Sequence, residues 1–115
     1  MGISGQDLFN EREQIKQSLH NSSIRAYENG IECAEKTRAY RILLRQVMLM
    51  LKEEGIAATN VEKIAKGCED VAQAEFEMNV AEVKYRASNE NIMIQKKLLD
   101  SIEGDIDREL RSRGD

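Results

Sequence analysis

The sequence predicts an all-α protein: a long antiparallel helical hairpin of coiled-coil type that assembles further into a helical bundle. Three observations predict it. Val71, Ala74, Met78, Ala81, Tyr85, Ser88, Ile92, Gln95, Leu99, Ile102, Ile106 and Glu109 step by three and four without a slip, the spacing of one seam on a long helix. A matching seam runs through Leu8, Arg12, Ile15, Leu19, Ser22, Ala26, Gly30, Cys33, Thr37, Tyr40, Leu44, Val47 and Leu51. The 115 residues contain no Pro, 33% are charged and only 4% are aromatic, a composition that favours long helices over sheets.

The elements follow in order within one domain, residues 1–115. Ser4 stands at a cap position with Asp7 in the first turn behind it, so the first helix is expected over about 6–54. The run His20-Asn21-Ser22-Ser23 weakens it, because Asn and Ser compete for backbone hydrogen bonds, and two helices meeting there is the alternative. Gly55 closes the helix and a connection fills 55–59. Thr59 and Glu62 have capping-box spacing, which predicts a start over 60–67. That stretch is either a short helix or the first turns of the long second helix, 68–111, with Glu69 and Asp70 suited to a new first turn. Gly104 weakens the long helix by about 1 kcal/mol relative to Ala.

A turn near Ala57 sets Tyr85 opposite Gly30, Tyr40 opposite Ala74, Ile15 opposite Leu99 and Leu8 opposite Ile106. Large against small at both Tyr layers is what close packing needs. The layers around Ser22, Ala26 and Gln95 are thin or polar, and the pairing is expected to be loosest there. Leu43, Met48 and Met50 lie off the first seam. Phe76, Val80, Val83, Ala87 and Ile94 lie on the face opposite the second, and contiguous apolar surface of this kind marks an interface. A homo-oligomer, in the first place a dimer, is the expected partner arrangement, and the alternative is a monomer in which the hairpin bends or a broken first helix folds over that stripe.

The net charge of −4 provides no global basic field of the kind that drives nonspecific nucleic-acid binding. A local stripe exists: Lys36, Arg38, Arg41 and Arg45 recur at helical spacing with no acidic residue between them. They read first as ion pairs with Glu69, Asp70, Glu75, Glu77 and Glu82 across the hairpin, and second as a track for a phosphate backbone. Two cysteines, Cys33 and Cys68, make no disulfide framework and read as small buried thiols in a reducing, cytoplasmic setting. The cluster Ile42 to Leu51 is too short to cross a bilayer, so no membrane is expected. Met1-Gly2 is followed by Gln6 where myristoylation asks for Ser or Thr. His20 is the single His, no Glu-x-x-His pattern and no phosphate-cradling Gly loop occur, and no nucleophile and base can be assembled. No catalytic residue, metal or cofactor is expected, and the chain reads as a non-enzyme.

The order Leu51-Lys52-Glu53-Glu54-Gly55, Thr59, Ile64-Ala65-Lys66-Gly67 and Val71-Ala72, then a charged helix closing in Ile106-Asp107-Arg108-Glu109, resembles a family of small helical proteins of unassigned function from tailed phages and prophages of Gram-positive bacteria. The resemblance spans residues 30–111 and departs at Cys68, where an acidic residue is expected, and at Leu110, where an aromatic is. It implies a phage early-region protein of unassigned function, often encoded near recombination and replication genes, and suggests an accessory role in phage DNA recombination or replication. With the apolar stripe, the expected reading is a non-enzymatic protein in the host cytoplasm that acts through protein–protein contacts. Inhibition of a host defence protein and nucleic-acid binding through Arg38, Arg41 and Arg45 are the alternatives.

Overall fold

A computed structural model of the chain describes residues 5–114. They form three helices, α1 Gly5–Glu53, α2 Ala58–Gly67 and α3 Glu69–Gly114. The expected cap Ser4 lies outside the described residues.

α1 runs unbroken through His20 to Ser23. The polar side chains there find partners within the helix or across the seam instead of opening it. Ser23 Oγ donates to the Leu19 carbonyl at 2.9 Å, and Gln17 Nε2 donates to Asn21 Oδ1 at 3.2 Å. Gly55 ends α1 with φ +90, and two backbone bonds close the turn: Gly55 N–H to the Lys52 carbonyl and Ile56 N–H to that of Leu51, both 3.1 Å. This is a Schellman closure, which needs a left-handed residue at that glycine.

The capping box expected at Thr59 does not form. α2 starts earlier, with Ala57 at the N-cap (φ −60, ψ 135) and no side-chain cap bond, so Thr59 falls inside the first turn. Glu62 is instead reached by Lys66 Nζ at 3.2 Å, one turn along the same helix. The short-helix alternative for 60–67 is what forms: α2 stops at Gly67, and Cys68 is extended (φ −67, ψ 138). The Cys68 carbonyl then accepts from Ala72 N–H at 2.9 Å, opening α3 with Glu69 and Asp70 in its first turn, where a negative charge opposes the helix dipole favourably.

The chain packs as two units, the first formed by α1 up to Tyr27 with α3 from Ala87 onward, the second by Glu28–Arg86. In the first unit Leu8, Ile102 and Ile106 form a buried cluster, with Ile15 and Leu99 packed against it. In the second unit the core is Tyr40, Val61, Ala65, Val71 and Ala81. α2 contributes Val61 and Ala65, one turn apart, and Val61 and Val71 are fully buried. Complete burial of such a side chain stabilises by about 1.5–3 kcal/mol.

The large-against-small layer at Tyr85 is present. A Cβ built on Gly30 would stand 3.0 Å from Tyr85 Cε1, tighter than most packed Cβ contacts. Gly104 has only the Arg108 guanidinium nearby, at 3.7 Å. Different outcomes are therefore expected for the same substitution at the two glycines. Gly104→Ala should stabilise by ~0.5–1 kcal/mol through backbone entropy. Gly30→Ala gains the same term but asks the Tyr85 ring, 39% exposed, to give by a few tenths of an ångström, so its gain should be smaller than that of Gly104→Ala. Urea unfolding checks both, and Tyr85→Ala should remove the difference between them.

Candidate functional site

The helix seams use up one stripe of each helix, and the site candidates lie on what remains. In the second unit α3 turns Phe76, Val80 and Val83 outward, 61%, 41% and 62% exposed. With Asn79 and Lys84 they line a shallow groove of about 240 Å³. The spacing that puts Ala81 and Tyr85 on the seam places these residues more than a quarter-turn away, so no residue of α1 can cover them. In the first unit the other two members of the expected face, Ala87 and Ile94, are likewise exposed.

The seam flank is polar. Lys36 Nζ lies 3.8 Å from Glu77 Oε2, and Lys84 Nζ donates to Glu32 Oε2 at 3.0 Å. The expected ion pairs across the hairpin thus form at Lys36 but not along the arginines. Arg38, Arg41 and Arg45 are exposed, and among the described residues no carboxylate lies within 4.0 Å of them. The helical turn points them away from α3, which is why the acidic residues opposite do not reach them.

Glu75, one of the carboxylates assigned to the arginines, has a different partner. Tyr40 Oη donates to Glu75 Oε2 at 2.7 Å. Tyr40 is 8% exposed and its hydroxyl also feels Lys66 and Glu62 of α2, so it marks the point where all three helices meet. The hydrogen bond to the carboxylate, reinforced by burial and the negative charge, raises the Tyr40 pKa above its ordinary value. In the first unit the thin layer is a polar node: Asn91 Nδ2 and Gln95 Nε2 both donate to the buried Ser22 Oγ at 3.0 Å. Gln95 Oε1 is buried there without a donor.

Cys33 and Cys68 are free and half-buried rather than fully enclosed, with Cys68 Sγ donating to the Ile64 carbonyl at 3.5 Å. His20 is exposed. Among the described residues no group of three His, Cys, Asp or Glu converges on a common point, and no helix is long and apolar enough to cross a membrane. Comparison with protein-family models, with curated proteins and with solved structures finds no match.

A further exposed stripe lies on α1 of the second unit, where Ile31, Ile42 and Leu49 are 43%, 50% and 47% exposed and alternate with Arg38 and Arg45. Leu43 and Met48, expected off the seam, are half-buried, and only Met50 of that group is exposed. The spacing of residues 31, 38, 42, 45 and 49, by seven and then by four, three and four, carried the signal, but the arginines break its apolar character.

Tyr40 supplies a test by pH. The folded chain holds the phenolic proton more tightly than the unfolded chain, so the contribution to stability is complete below pH about 10 and is lost as pH rises beyond it. Tyr40→Phe should cost about 1–3 kcal/mol at neutral pH, the worth of a hydrogen bond to a charged group. It should also flatten the fall in stability measured by urea unfolding above pH about 10.

Proposed function

We propose that this chain is a non-enzymatic helical protein of phage or prophage origin that works in the host cytoplasm through protein–protein contacts, accessory to phage DNA recombination or replication. The observation that carries the contact reading is the outward apolar face of Phe76, Val80 and Val83. Large apolar side chains grouped on one stripe beside charged residues have the anatomy of an interface core with its polar rim. The phage origin and the process rest on the resemblance carried by Leu51 to Gly55, Ile64 to Gly67 and Ile106 to Glu109.

Affinity capture from host lysate tests the contact reading. The wild-type chain should retain a discrete protein, and Val83→Glu should lose it by at least ~10-fold, because a charge in a desolvated patch has no compensating partner. Recovery unchanged by Val83→Glu would remove that face from the reading. The neighbouring genes test the origin: recombination and replication genes beside this one support it, and housekeeping genes on both sides count against it.

One observation favours a second reading. Arg38, Arg41 and Arg45 are exposed on one helix with no carboxylate within 4.0 Å among the described residues, a track that could follow phosphates. Gel-shift titration should then show binding that weakens steeply with salt and is lost in Arg41→Glu. Absence of a shift at low salt would end this reading.

A further inference from the structure

From the size and charge pattern of α3 we infer that the occupant of the Phe76–Val80–Val83 face is a second copy of this chain, docked antiparallel about a two-fold axis between Val80 and the partner's Val83. The inference rests on the contact reading above and names its partner.

The face is complementary to itself in that orientation. In antiparallel helix pairs each layer joins an a position of one helix with a d position of the other. Phe76 and Val83 occupy one class of position and Val80 and Ala87 the other, all exposed along α3. Setting Val80 against the partner's Val83 places Phe76 at the level of the partner's Ala87, the large-against-small match that close packing asks for. A parallel pair would instead stack Phe76 on the partner's Phe76 and leave Ala87 against the partner's Ala87, overfilled at one end and empty at the other.

Charge points the same way. The antiparallel register brings Glu77, on the flank of the face, beside the partner's Lys84, and by symmetry Lys84 beside the partner's Glu77. Each already holds an intrachain partner, Lys36 at 3.8 Å and Glu32 at 3.0 Å. Docking therefore extends two pairs into a row of alternating sign: Lys36, Glu77, the partner's Lys84 and the partner's Glu32. A parallel pair in register sets Glu77 level with the partner's Glu77 and Lys84 level with the partner's Lys84, and the flanking neighbours across the seam, the partner's Ala72 and the partner's Asn79, carry no opposite charge. Alternating flank charges set helix orientation in paired helices.

The test uses the full chain. Light scattering from low to high micromolar concentration should give a dimer, and Val83→Glu should give a monomer whose helical content by circular dichroism is unchanged. Glu77→Lys should weaken association at least ~10-fold. Adding Lys84→Glu to the same chain should restore it, a rescue that loss of the intrachain pairs alone cannot produce. In a Cys33→Ser, Cys68→Ser background, Phe76→Cys mixed with Ala87→Cys should form the mixed disulfide, and Phe76→Cys by itself should not cross-link. A wild-type monomer throughout, a dimer indifferent to Val83→Glu, or self-cross-linking of Phe76→Cys would each overturn the inference. A monomer that still captures another protein in a Val83-dependent way overturns the second copy as occupant and leaves the contact reading standing. A monomer that captures nothing removes both.

Discussion

A helix that meets a single neighbour can bury one stripe, and this constraint governs the protein. Along α1 and α3 the buried and half-buried positions recur every three or four residues, except between Ala81 and Ser88, where the seam residue Tyr85 is exposed, and almost everything between them is open to water. Away from α2, large side chains must therefore find small ones directly opposite, since no third helix is there to absorb a misfit. Gly30 beside the Tyr85 ring is a case: the glycine weakens its own helix but leaves room for an aromatic ring that a Cβ would crowd at 3.0 Å.

The same constraint explains where polar groups enter. With a seam only one stripe wide, an inward polar residue is close to water on either side, so its burial costs less than in a thick core. Ser22 accepts two amide donors from α3, and Tyr40 reaches Glu75 where α2 joins the pair. Such bonds are directional and fail if one helix slides, whereas aliphatic contacts tolerate slippage. They are suited to holding register in a seam that its thin layers specify weakly. The leftover faces follow from the same geometry. Phe76, Val80 and Val83 on α3, and Ile31, Ile42 and Leu49 on α1, are apolar because the sequence places them there, and exposed because the seam lies elsewhere.

Much of this was legible in one dimension. The three-and-four spacing named Leu8, Tyr40, Val71, Ala81, Ile102 and Ile106 as inward, and each is buried. Gly55 marked the end of α1, because a left-handed residue with two closing bonds is a local requirement that only a glycine meets cheaply. The exposed face of α3 could be read from the same spacing. Local signals failed where two of them competed. Thr59 and Glu62 matched a capping pattern, but α2 begins at Ala58 and turns Val61 and Ala65 inward, and burial outweighs a side-chain cap of about 1 kcal/mol.

By itself the sequence determined the helices, their seams and the turn between them, because periodicity and chain-ending residues act over a few positions. Only the tertiary structure decided which charge meets which. Glu75 and Arg41 are equally good partners on paper, yet Glu75 takes the Tyr40 hydroxyl and Arg41 has no carboxylate within 4.0 Å among the described residues. A helix-wheel position gives a direction, whereas an ion pair needs two long side chains to converge within a few ångströms. That distance depends on how closely the backbones approach, which the Gly30–Tyr85 contact and the buried residues of α2 set in three dimensions.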